Sequence, residues 1–71
     1  MSDHHVYKKT EVVGSSRTSI EEAIDNALAE CAKSIRNMEW FEVTETRGHI
    51  EGGKVGHYQV SLVVGFRIEN S

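Results

Sequence analysis

A chain of 71 residues with a single cysteine makes one domain with a thin core, since a fold that short hides only ~60% of the surface its unfolded chain exposes, and it excludes an internal disulfide. The net charge of -3 and a pI near 5.7 argue against nucleic acid as the main partner, because polyphosphate binding needs a clustered basic face. No apolar run approaches the ~20 residues of a membrane span, and the polar start Ser2-Asp3-His4-His5 has no secretory hydrophobic region, so a soluble, cytoplasmic protein stabilised by association is expected.

Residues 1-5 read as a flexible tail on which His4 and His5 are solvated, because chelation would need further ligands at fixed geometry. From Val6 to Val13 the residues suit a strand with one polar and one mixed face. Gly14-Ser15-Ser16 lacks the lysine and spacing of a P-loop, and reads as a turn leading into a helix cap. Thr18 with Glu21, or Ser19 with Glu22, supplies a capping box. Beyond it Ile20, Ala23, Ile24, Ala27, Leu28, Cys31, Ile35 and Met38 recur at three- and four-residue steps. They draw one apolar stripe down a helix of ~19 residues, or ~28 Å. Cys31 lies inside that stripe as a buried, inert thiol. Glu21, Glu22 and Asp25 gather early and Lys33 and Arg36 late, as a helix dipole prefers.

A second strand, from Met38 to about Glu51, carries the only tryptophan. If Phe41 and Val43 turn toward the helix, then Trp40, Glu42, Thr44 and Thr46 point the other way. Gly52-Gly53 supplies the positive backbone angles of a tight hairpin. The third strand, Tyr58 to Ile68, alternates apolar Tyr58, Val60, Leu62, Val64, Phe66 and Ile68 with Gln59, Ser61, Gly65 and Arg67. Folding the hairpin sets Phe41 and Val43 beside Leu62 and Val64, and brings Trp40 near Gly65. His49 and His57 approach each other across it, but two imidazoles without a cysteine or carboxylate cage make a poor metal site.

The expected fold is α+β: a β-α-β-β chain with one long helix on one face of a three-stranded antiparallel sheet, in a single domain spanning 1-71. Its second face is bare. A tryptophan there is either an interface residue or a stacking platform. With Trp40, Gln59, Val63 and Gly65 on that face, rimmed by amide, hydroxyl and guanidinium donors, the surface suits a flat heteroaromatic ligand.

Val6-Tyr7-Lys8, Glu11-Val12-Val13-Gly14-Ser15-Ser16, Trp40-Phe41-Glu42-Val43, Arg47-Gly48, Tyr58-Gln59-Val60 and Val64-Gly65-Phe66-Arg67-Ile68-Glu69 together resemble the dodecins, small flavin-binding proteins. The resemblance covers nearly the whole chain. It implies a β-α-β-β subunit in a hollow dodecamer, with flavins in stacked pairs sandwiched between tryptophans of neighbouring subunits. By position it implies that Trp40 stacks on the isoalloxazine and Gln59 bonds its polar edge. Arg47 and Arg67 match places where bacterial-type dodecins contact the ligand tail and phosphate, which favours FMN over riboflavin or other flavins. An ordinary strand-end ion pair, with Glu45 or Glu69, is what spacing alone suggests for either arginine. Some dodecins also hold coenzyme A, for which Tyr7, Lys8 and Lys33 would serve as secondary contacts. Glu30, however, stands where those relatives carry arginine, and a carboxylate there repels phosphates.

The expected function is therefore flavin storage and sequestration with quenched photochemistry, and no catalysis. Two alternatives belong to other classes. One is an oligomeric interaction module in which Trp40 anchors an interface without flavin; the other is a small enzyme using His49 and His57.

Overall fold

Strand β1 (Tyr7–Ser16), helix α1 (Ile20–Cys31), strand β2 (Met38–Glu51) and strand β3 (Lys54–Arg67) follow one another in the computed structural model, which describes residues 4 to 69. The expected β-α-β-β order stands, with three antiparallel strands in the order β1-β3-β2. Of the expected tail, residues 1 to 3 lie outside the described residues; His5 rests edge-on against Tyr7, ring centroids 6.4 Å apart.

β3 is central, paired with β1 along one edge and β2 along the other. Val60, Leu62 and Val64 are fully buried on one face and form the core with Ala23, Ala27 and Cys31 of α1. The hairpin register matches expectation: Phe41 faces Val64, Val43 faces Leu62 and Trp40 faces Gly65. Its turn runs through Gly52 and Gly53 at φ 59° and 76°, angles that only glycine adopts without steric cost.

β1 is longer than the sequence suggests. Gly14 and Ser16 continue the ladder opposite Val60 and Tyr58, so Gly14-Ser15-Ser16 is strand and not turn. Gly14 marks a close approach: a Cβ there would stand 2.0 Å from the Ala23 carbonyl oxygen and 2.9 Å from the Ala27 Cβ. Buried Ser16 ties strand to helix, its Oγ donating to Glu22 Oε1 and accepting from the Thr18 and Ser19 amides at 2.9 and 3.3 Å. Ser19 is the N-cap, accepting from the Glu22 amide at 3.0 Å.

α1 stops at Cys31, well short of Met38. The Ser34 and Ile35 amides both donate to the Cys31 carbonyl, at 3.1 and 2.9 Å, closing a turn. Asn37 then takes φ 62°, the left-handed region asparagine tolerates better than most residues, and redirects the chain into β2. Ile35 and Met38 still pack on the core, from a connection and not from a helix. Lys33 and Arg36 consequently lie past the helix end, and no basic residue sits in its last turn.

A helix of 12 residues spans about 18 Å, while β2 and β3 give the molecule a long axis of 58 Å. It lies over β1 and β3. Phe41 and Val43, although on the helix side of the sheet, therefore remain 45% and 41% exposed.

Candidate functional site

The open face is shaped by irregularities in β2. Met38 pairs with Phe66 and Trp40 with Gly65, which leaves Glu39 as an extra residue. That bulge lets Met38 turn to the core while Trp40 turns to the opposite face. A second bulge lies at Thr44, between the Val43–Leu62 and Glu45–Ser61 pairs, and the Thr44 hydroxyl donates to the Ser61 carbonyl at 3.2 Å. Past it the alternation is inverted. Thr46 pairs with buried Val60 and so belongs to the helix side, contrary to the strict alternation expected from Trp40. Arg47 joins the open face, opposite Gln59. The sequence did carry a signal for this: uninterrupted alternation from Phe41 and Val43 would have put Glu45 and Arg47 on the apolar side.

Trp40 lies directly over Gly65. A Cβ on Gly65 would come within 2.2 Å of indole Cε2 and Cζ2, so the ring occupies the shelf the glycine leaves. Tyr7, arriving on β1 opposite Arg67, meets the indole edge-on with centroids 5.3 Å apart. This buttress is a role the sequence did not assign to Tyr7. The indole is held between a glycine backbone and a tyrosine ring, yet stays 41% exposed.

Arg67 sits at the same end, one alternation step from Gly65. Glu69, one of its expected ion-pair partners, is bonded to Arg36 at 3.3 Å instead. Arg67 Nε is buried without a hydrogen-bond partner among the described residues. Arg47 stands 3.9 Å from Glu45, both side chains more than half exposed, a geometry that contributes little and leaves the guanidinium accessible.

Two groups of residues thus share one face but not one place. Trp40, Tyr7, Gly65 and Arg67 occupy one end. Gln59 and Arg47 lie ~20 Å away along β3, at ~3.3 Å per residue. His49 and His57 follow one step further, their rings stacked with centroids 4.4 Å apart and planes at 20°. Stacked rings aim their in-plane lone pairs side by side and not at a common point. No group of three or more potential metal-ligating side chains occurs among the described residues.

The coenzyme A candidates do not converge. Tyr7 is on the open face and Lys8, paired with Phe66, on the other. Lys33 is exposed and bonded to Glu30 at 3.1 Å. Lys8 instead lines a depression of about 650 Å³ past the helix end with Arg36, Phe66, Arg67 and Glu69.

The dodecin family model matches residues 6–69. A dodecin of Thermus thermophilus is 52% identical over 66 residues, covering 93% of this chain and 96% of the relative. Among solved structures, dodecin from Streptomyces coelicolor superposes with a TM-score of 0.91 at 46% identity, covering 99% of this chain and 100% of that one. Dodecin from Streptomyces davaonensis gives 0.90 at 38% identity, covering 97% and 100%. With fold, register and sequence in agreement, this chain belongs to the dodecin family, whose members are small flavin-binding proteins.

Proposed function

We propose that this protein is a cytoplasmic store for FMN, holding the cofactor in stacked pairs at seams between copies of the chain in a hollow dodecamer, without turnover. The seat of Trp40 carries the reading: a half-exposed indole laid over Gly65, on the face turned away from the helix. A ring so placed offers a flat apolar surface to a second ring. The residues present fit such a ligand in kind. Trp40 is the platform, Gln59 an amide for a polar ring edge, and Arg47 and Arg67 two guanidiniums for a phosphate. Arg67 also has a buried Nε–H unpartnered among the described residues.

The separation of these groups supports the seam. One ligand cannot touch Trp40 and Gln59 of the same chain across ~20 Å, whereas two copies facing each other with opposed strand directions would bring one chain's Trp40 toward the other's Gln59. When bound, FMN supplies a light-absorbing, redox-active ring, and contact with an electron-rich indole gives its excited state a rapid non-radiative exit. Everything else falls to the chain's own side chains. Tyr7 and Gly65 hold the indole flat, and the arginines select a phosphorylated tail through charge-assisted bonds. A flavin enzyme needs open space at the reactive ring, which a pair of rings closed between tryptophans would leave unavailable.

The test is titration of FMN into apoprotein. Flavin fluorescence should collapse at stoichiometric protein, and undiminished emission would overturn the proposal. Trp40→Ala should weaken FMN binding by ~1–3 kcal/mol, by analogy with aromatic-to-base stacking, and leave the particle mass unchanged. A particle that dissociates in this variant, with flavin having no effect on melting of the parent, would instead favour the interaction-module reading.

A further inference from the structure

His49 and His57 take no part in the core or in the flavin contacts so far assigned. They face each other across the hairpin on the same side of the sheet as Arg47 and Gln59, ~7 Å further along it. Their stacking depends on a third bulge. Ile50 pairs with Val55 and His49 with His57, so Gly56 is the extra residue, and the Glu51 side chain folds over it. Other charged groups near the pair are few. β2 contributes Arg47 on one side, with Glu45 beyond it, and Glu51 on the other; β3 contributes Lys54, opposite Glu51. β1 ends at Ser16, opposite Tyr58, and is followed by exposed Arg17. α1 lies against the other face.

Imidazole is the side chain that gains a charge between pH ~5 and ~8. Two stacked imidazolium rings repel each other, and the Arg47 guanidinium adds a third positive charge on the same face. An anion beside them offsets that repulsion. By linkage, protons that are held more tightly when an anion is present must in turn tighten the anion.

We propose that His49 and His57 extend the flavin-binding face into a proton-gated subsite for a phosphate monoester, adding to Arg47 a grip that strengthens as the pH falls. The proposal rests on the flavin reading for its natural ligand, the FMN tail. Its chemistry does not, since inorganic phosphate presents the same oxygens.

Binding of FMN and of riboflavin by fluorescence quenching should be compared between the parent protein and the double variant His49→Gln, His57→Gln across pH ~5.5 to ~8. Because a phosphate monoester itself takes up a proton near pH ~6, the parent-to-variant affinity ratio at each pH is the quantity to read. That ratio should reach about fivefold for FMN at the acid end, narrow toward the alkaline end, and stay flat for riboflavin. A ratio independent of pH for FMN, or one that varies equally for riboflavin, would overturn the proposal. The single variant His49→Gln, at an exposed edge-strand position, serves if the double variant misfolds. A second measurement does not use flavin: the NMR titration midpoints of the imidazole C2 protons should move to higher pH on adding inorganic phosphate, and unmoved midpoints would equally overturn the subsite. Loss of FMN quenching at every pH in both proteins would count against the flavin store, and the NMR titration would then still decide the histidine pair.

Discussion

At the scale of single residues, the pairing of Trp40 with Gly65 turns a large exposed side chain into an ordered platform. An indole on an open sheet would ordinarily sample several rotamers, and fixing it on binding would cost side-chain entropy. Here the glycine removes the atom that would lift the ring, and Tyr7 closes one edge at 5.3 Å. Gly65→Val should therefore leave the fold intact, since the position is on the open face and valine suits a strand. The same substitution should push the ring off its seat and lower FMN affinity by as much as removing the stacking partner, ~1–3 kcal/mol. Far-ultraviolet circular dichroism checks the first expectation and fluorescence quenching the second. An unaltered FMN affinity would mean that the indole works from a different pose.

At the scale of elements, docking of α1 on β1 is governed by one missing side chain. The Ala23 carbonyl oxygen occupies the space where a Gly14 Cβ would project, so Gly14→Ala must lift the helix or bend the strand. Overpacking of that kind costs ~1–3 kcal/mol. Ser15→Ala, next in the chain and exposed, should stay within ~0.5 kcal/mol, because the Asn26 side chain bonds the Ser15 backbone carbonyl and not its hydroxyl. Urea melts of the two variants test this directly, and equal midpoints would restore the turn that the sequence suggests. Gly14 shows where legibility ended: glycine followed by two serines has the composition of a turn, and only the third dimension reveals a helix pressing on it. The helix end was hidden for a related reason, since Ile35 and Met38 keep helical spacing while reaching the core from a connection. β3 and the hairpin register were legible because a period of two over eleven residues and a Gly-Gly turn admit one pairing. The bulges at Glu39 and Thr44 were not, although charged residues falling on the apolar side of a strict alternation hinted at them. Composition of the open face was thus readable, whereas the inversion past Thr44 that sets Arg47 opposite Gln59 on that face emerged only with the fold.

At the scale of the molecule, a short helix on a 58 Å body leaves apolar side chains that one chain cannot cover. Ile50 and Val55, paired near the hairpin tip, are 80% and 59% exposed, and Ile20 and Tyr58 border the same surface. The homo-oligomeric character of the family supplies neighbouring copies that could cover them. Ile50→Asp should consequently preserve secondary structure, which owes nothing to that side chain in the single chain, and break the particle into smaller species visible by light scattering or native mass spectrometry. The flavin face makes a further demand on this variant. If Trp40 of one copy and Gln59 of another must close on the same ligand, dispersal should abolish tight FMN binding although Trp40, Gln59, Arg47 and Arg67 are all still present. Assembly and quenching should then be lost together as protein is diluted, and FMN in excess should restore both by favouring the assembled state. Dispersed chains that still quench FMN stoichiometrically would show that one open face suffices, and that the distance along β3 does not divide the site between copies.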